Sequence, residues 1–150
     1  MTLSGHIRDR RSFVDSAGYY ALADRGDANH TTAAALLAAL RLQRFRLVTT
    51  NFVLAESHAL VLNRLGYAPA LRLLTDITTS PATTLVRVTR ADEDRARVII
   101  RRYADKRFSY TDATSFAVME RLRLTQVFSF DRDFAQYGFT LLALLDQRRR

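Results

Sequence analysis

Four carboxylates set far apart along the chain have the types and settings to hold a hard cation: Asp15, Glu56, Asp112 and Asp131, with Asp133 two residues beyond the last. Asp15 directly follows the apolar run Ser12-Phe13-Val14, and Asp131 directly follows Gln126 to Phe130. Glu56 stands in a segment that is otherwise apolar, Phe52-Val53-Leu54-Ala55 and then Ala59-Leu60-Val61-Leu62. A charge there is costly unless it is paired or faces a cleft. Asp112 follows Ser109-Tyr110-Thr111 at the start of a helical pattern, where the helix N-terminus favours negative charge. Each acid also has a purely structural explanation. Asp15 and Asp131 could cap the turns that follow them, Ser109 to Asp112 fits a capping box, and Glu56 could pair with an arginine. The joint pattern is harder to explain that way, because equivalent ends of consecutive elements would aim these acids into one cleft.

Clustered carboxylates repel and raise one another's pKa values, and a hard divalent cation relieves the repulsion. Mg²⁺ or Mn²⁺ prefers such oxygen ligands. A cation held this way can lower the pKa of a water, orient it and neutralise charge on a scissile phosphate, with no covalent nucleophile. The chain has no Cys, and His6, His30 and His58 lack ligand spacing. No P-loop and no convincing Ser/His/Asp set is present.

These acids need elements to position them. The hydrophobic patterning predicts strands at Ser12 to Val14, Arg46 to Thr49, Thr83 to Val88 and Thr125 to Phe130, with a fifth at Phe139 to Leu144. It predicts helices from Ala17 to Ala23, from His30 to Arg44 with Asn29 or Thr31 as N-cap, and from Thr50 or Asn51 to Leu65, stopped by Gly66. Further helices are expected around Pro69 to Thr78, from Thr89 to Ala104, and from Ser109 or Thr111 to Arg123. Strands alternating with long helices imply parallel pairing in an α/β sandwich. In such sheets ligands bind beyond the carboxyl ends of the strands, where Asp15 and Asp131 are expected. The chain is read as one domain over residues 1–150, with 1–11 and 146–150 flexible.

Lys and Arg number 23 against 15 acids, a net charge of +8. Nearly all the cations are Arg, whose planar fork suits phosphate. Arg44, Arg46, Arg87, Arg90, Arg101, Arg102, Lys106 and Arg107 are candidates to line an RNA track; solubilising surface charge is the competing explanation. Tyr19, Tyr20 and Tyr110 flank the motif acids and could stack on unpaired bases, although packing is the commoner role. The Ala33 to Leu42 stripe reads as core or a dimer face. The apolar run Ala33 to Leu40 is too short to span a bilayer, and Met1 to Ser12 is too polar for a signal peptide, so a cytoplasmic protein is expected.

Four passages resemble the PIN-domain family, and within it the VapC-like toxins. Phe13-Val14-Asp15-Ser16 resembles the opening strand and first aspartate, and Thr50 to Glu56 the helix that carries the glutamate. Ser109-Tyr110-Thr111-Asp112-Ala113 resembles the third motif, and Ser129-Phe130-Asp131-Arg132-Asp133-Phe134 the strand-end motif. The order holds from about residue 12 to 144. The resemblance implies a three-layer α/β/α sandwich around a mostly parallel sheet, Mg²⁺ or Mn²⁺ as cofactor, and endonucleolytic cleavage of RNA. It implies Asp15, Glu56, Asp112 and Asp131 as catalytic acids, with Asp15, Asp112 and Asp131 on the metal. Glu56 would be a ligand or orient the attacking water. Asp133 would be an accessory acid, and Thr111 and Ser129 supporting hydroxyls. An antitoxin protein and a second copy of the chain are the implied partners, besides RNA. Asp131-Arg132-Asp133 after a strand also mimics a phosphatase D-x-D motif, which would need a long downstream domain. A receiver-type signalling domain would want an acidic pair after the first strand. A non-catalytic RNA- or partner-binding module of the same fold is the alternative.

Overall fold

The computed structural model describes residues 9–145. Five strands, β1 (Arg11–Val14), β2 (Arg46–Thr50), β3 (Thr83–Val86), β4 (Gln126–Phe128) and β5 (Thr140–Leu141), form one sheet in the order β3-β2-β1-β4-β5. Every pairing is parallel. The helices are α1 (Ser16–Ala23), α2 (His30–Leu42), α3 (Asn51–Leu65), α4 (Tyr67–Thr79), α5 (Arg90–Arg102), α6 (Tyr110–Leu122), α7 (Asp133–Tyr137) and α8 (Leu142–Leu145). They cover both faces of the sheet, giving the α/β/α sandwich that the pattern implied. β1 is buried at Ser12, Phe13 and Val14 without alternation, as a central strand covered on both faces must be.

From β1 the chain winds outward through β2 to β3, then returns to the other side of β1 with β4 and β5. The winding direction therefore reverses between β1 and β4. At such a switch point the crossover connections lead away to opposite sides, and a crevice opens at the carboxyl ends of the two strands. Strand-to-helix joins on that edge are abrupt. Asp15 is the single residue between β1 and α1, and β2 passes into α3 with no linker, Thr50 Oγ1 accepting a hydrogen bond from Val53 N at 3.1 Å.

Aromatic packing fixes the later elements. The Phe116 ring of α6 lies 5.0 Å from Phe108, 5.0 Å from Phe134 and 4.4 Å from Tyr137, and Phe134 reaches Phe13 at 6.3 Å. This cluster ties α6, α7 and the loop before α6 to the central strand. Two arginine–carboxylate pairs join α5 to α6: Arg121 with Asp92 through two bonds of 2.8 Å, and Arg95 with Glu120 at 3.0 Å.

Several expected boundaries shift. The fifth strand keeps only Thr140 and Leu141, because the Leu142-Ala143 pair, fully buried, continues into a helical turn. β3 ends at Val86 and β4 at Phe128, short of Val88 and Phe130, where loops take over the backbone to enter α5 and the acidic turn. α2 ends at Leu42, since Arg44 adopts a positive φ of 56° that a helix cannot contain. α5 likewise ends at Arg102 and α6 at Leu122, Arg123 closing α6 in the left-handed region. Asn29 sits at the N-cap of α2 but makes no side-chain cap bond; its own N–H instead donates to Asp27 Oδ1 at 2.8 Å. The short helix α7 was not expected as an element. Residues 1–8 and 146–150 lie outside the described residues, and with them most of the segments expected to be flexible.

α1 crosses the end of β4 so closely that only glycine fits at position 18. A Cβ there would stand 2.6 Å from both the carbonyl oxygen and the Cδ1 of Phe128. Gly18→Ala is therefore expected to destabilise by roughly 1–3 kcal/mol, as overpacking of a filled core does. The check is the midpoint of urea unfolding, which should fall; an unchanged midpoint would mean that α1 lifts from the strand at no cost.

Candidate active site

Asp15 sits at the switch point, 2% exposed. Its N–H donates to Phe128 O at 3.2 Å across the β1–β4 boundary, and its Oδ2 accepts from Ala17 N at 3.4 Å, capping α1. Oδ2 also accepts from Ser129 Oγ at 3.1 Å. Oδ1 is buried with no hydrogen-bond partner among the described residues. Burial pushes the Asp15 carboxyl up to about 7; the nearby Ser16 and Ala17 amide dipoles oppose this, while the charges of Asp112 and Glu56 add to it. These charges act on Asp15 because their elements converge there.

Asp112, Asp131 and Asp133 each bring a carboxylate oxygen within 4.8 Å of the others. Asp112 is held by a complete capping box: its N–H donates to Ser109 Oγ at 3.0 Å, and its Oδ2 accepts from Ser109 N at 3.0 Å. Burial raises its carboxyl to about 6, with the Ser109 bonds opposing and Asp131 and Asp133 adding repulsion. The turn after β4 shapes the other two. Asp131 N donates to Ser129 Oγ at 3.0 Å, and Asp133 N donates to Asp131 Oδ1 at 2.9 Å, an Asx turn that leaves both carboxylates on one side. Ser129 thereby accepts from Asp131 and donates to Asp15, locking two of the acids to one hydroxyl.

Glu56 is exposed, on a helix whose buried stripe is Val53, Ser57 and Val61. The segment is thus amphipathic rather than buried all round, and that removes the expected burial cost. Its Oε1 accepts from Ser16 Oγ at 2.5 Å, which links α3 to α1. Asp133, expected as an accessory acid, stands inside the tight group; Asp15 joins that group through Ser129. The Thr111 hydroxyl makes no hydrogen bond among the described residues, and Ser109 is the hydroxyl that holds Asp112. Ser16 was not singled out from sequence as a candidate. Its only signal was its place next to Asp15.

The basic residues divide by position. Arg44 and Arg46 precede and open β2, at the amino edge of a parallel sheet and so at the end away from the acids. Arg46 Nη1 is also committed to Pro81 O at 2.6 Å. Arg87 and Arg90 are exposed at the carboxyl end of β3. Arg101 and Arg102 end α5, and Arg107 lies exposed in the loop before α6. Lys106, in the same loop, is near enough to Asp133 to oppose the upward push that burial gives that carboxyl. Tyr19 and Tyr20 are buried, and Tyr110 is exposed.

An all-oxygen set of acids beside a buried, unpartnered carboxylate oxygen is a donor set that fits a hard divalent cation. The profile of the PIN domain matches residues 13–140. The 23S rRNA-specific endonuclease VapC20 of Mycobacterium tuberculosis, in strains CDC 1551 / Oshkosh and H37Rv alike, is 35% identical over 127 residues, which cover 85% of this chain and 94% of that protein. A crystal structure of Mycobacterium tuberculosis VapC20, described as a Sarcin-Ricin loop cleaving toxin, matches with a TM-score of 0.79 at 33% identity, over 85% of this chain and 95% of that one. The chain belongs to the PIN-domain family.

The raised carboxyls set the sign of a pH effect. In the unfolded chain Asp15 ionises near 3.8; in the folded chain without a cation it does so near 7. The folded state therefore holds the proton more tightly. Its stability is fully present below about pH 4, is lost as pH rises towards 7, and levels off above. Asp15→Asn lacks this loss. In a chelator the variant should melt above wild type at about pH 8, with the gap closing towards about pH 4. A gap that does not change with pH would contradict the burial cost assigned to Asp15.

Proposed function

We propose that this chain is a divalent-metal-dependent endoribonuclease, the toxin of a toxin–antitoxin pair, with Asp15, Glu56, Asp112, Asp131 and Asp133 as its working acids. The supporting observation is the buried Asp15 Oδ1, without a hydrogen-bond partner among the described residues, at the switch point beside three carboxylates that gather within 4.8 Å. Asp15, Asp112 and Asp131 would hold Mg²⁺ or Mn²⁺, with Asp133 as a further oxygen donor. When bound, the cation would neutralise charge on the scissile phosphate and lower the pKa of a water.

The chain's own groups supply the geometry. Ser129 fixes Asp15 Oδ2 and the Asp131 backbone together, so the acids meet the phosphate pre-arranged. Ser16 occupies Glu56 Oε1 and so turns the carboxylate, leaving Oε2 to accept a hydrogen bond from the attacking water and set its line. Lys106 lies on the Asp133 side, where its ammonium would meet a neighbouring phosphate. Because the relatives are named for 23S rRNA and for the Sarcin-Ricin loop, a ribosomal RNA loop is the substrate to test first. An antitoxin protein would be the partner that keeps the chain inactive.

Asp15→Asn and Asp112→Asn are expected to cut RNA cleavage by at least about a hundred-fold, as the loss of several kcal/mol of charge stabilisation requires. Chelation should abolish cleavage, and Mg²⁺ or Mn²⁺ should restore it. Equal cleavage by wild type, variants and chelated protein would refute the mechanism. Ser129→Ala should weaken cleavage roughly ten-fold, in the range typical for groups that orient metal ligands, with Ser129→Thr retaining more of it. Arg46→Ala should leave the rate unchanged, because its side chain lies at the opposite edge of the sheet.

A further inference from the structure

The carboxyl edge of the sheet carries an aromatic pair beside the acids. Phe52 stands in the first turn of α3 and Tyr110 is the first residue of α6, with ring centroids 6.2 Å apart and planes tilted by 42°. Phe52 precedes Glu56 by four residues, so it shares that face of α3, one turn nearer the helix start. Tyr110 precedes Asp112 by two. The pair therefore bridges the helix of Glu56 and the helix of Asp112, at the end of the sheet where the acids gather.

Tyr110 is 39% exposed, whereas Tyr19 and Tyr20 are buried. The ring is nevertheless held in place. Its hydroxyl donates to Glu93 Oε1 at 2.7 Å, and Phe52 packs against its side. An aromatic ring fixed in advance loses little rotamer freedom when a ligand stacks on it. The junction of α5 and α6 does not need the ring, since Asp92–Arg121 and Arg95–Glu120 already join those helices. Cations follow the neighbouring elements: Arg87 and Arg90 are exposed at the end of β3, and Lys106 and Arg107 stand in the loop that leads into α6 and Tyr110. An exposed ring on elements that also carry cations suits a single strand, with a base on the ring and phosphates on the cations.

We propose that Tyr110, backed by Phe52, is the platform that stacks one unpaired base of the RNA beside the acid group. This deepens the nuclease reading and rests on it.

The chain has no Trp, so Tyr110→Trp installs a sole tryptophan at the proposed contact. In an Asp15→Asn background with Mg²⁺, which silences cleavage, its fluorescence should be quenched by poly(A). Poly(A)·poly(U) duplex and inorganic polyphosphate, which offer charge without an accessible base, should leave it unquenched. In the cleavage-competent chain, Tyr110→Leu should raise KM for a single-stranded RNA by roughly ten-fold with kcat little changed, and Tyr110→Phe should restore KM, because stacking needs the ring and not the hydroxyl. Equal quenching by polyphosphate, or an unchanged KM in Tyr110→Leu, would overturn the platform, and cleavage by wild type would then leave the nuclease reading standing. Quenching by poly(A) alone, with no cleavage by wild type under any metal, would keep the platform and overturn the nuclease.

Discussion

A carboxylate with almost no contact with water, set where two neighbouring parallel strands send their connections to opposite sides, governs the rest of this molecule. Asp15 is paired through its backbone to β4 and through one side-chain oxygen to α1 and Ser129, while the other has no hydrogen-bond partner among the described residues. Burial alone makes its ionised form costly, and three further acids crowd the same edge. A fold selected only for stability would place an apolar residue or a serine there. Sites that oppose stability in this way are where function resides. The same cost would give a cation its hold, since each buried negative charge it satisfied would convert a penalty into binding free energy.

The surrounding architecture keeps these acids from relieving their repulsion by moving apart. Asp15 and Thr50 lie at strand-to-helix joins with no slack, so their side chains cannot swing away without unwinding a first turn. Gly18 lets α1 press against Phe128, and that contact sets the distance between Asp15 and the end of β4. On the other side, Phe116 packs Phe134 and Tyr137 against α6, so the turn that presents Asp131 and Asp133 is anchored by its own following helix. The aromatic core thus acts on the site through α7. The side chains that enforce the geometry are apolar and lie beneath the acids.

Much of this was legible in the sequence, and the failures have physical causes. Long, periodic segments such as α3, α4 and α6 declare themselves, and their caps at Thr50, Thr89 and Ser109 are local motifs readable without tertiary context. The carboxyl-end rule then placed Asp15 and Asp131 before any contact was known. The ends of β3, β4 and β5 were misjudged because apolar, β-branched runs carry on past the point where backbone pairing stops. Asp133 was ranked below Asp131 because spacing alone cannot show that an Asx turn brings both carboxylates to one side. Ser16 and Phe52 carry no sequence signal of their own, since their contacts arise between elements, α1 with α3 and α3 with α6. Arg44 and Arg46 looked like track residues because charge has no direction in a sequence; the parallel sheet assigned them to the far edge.

That last assignment bears on how a basic protein can surround an acidic site. β2 runs from Arg46 to Thr50, and its four steps of roughly 3.3 Å separate Arg46 from the carboxyl edge by about 13 Å. The screening length in physiological salt is about 8 Å, so through solvent a charge at that distance keeps little of its influence on the site. The excess of positive charge over the whole surface can draw a polyanion towards the protein, but it cannot register a phosphate over Asp15. Registration would have to come from cations on the same edge, where Arg87 and Arg90 follow β3 and the charge of Lys106 reaches Asp133. β3 stands on one side of β1, and β4, which leads to Asp131 and Asp133, stands on the other. An RNA strand that touched both groups of cations would cross the acids between them, so few basic residues would suffice to set its path.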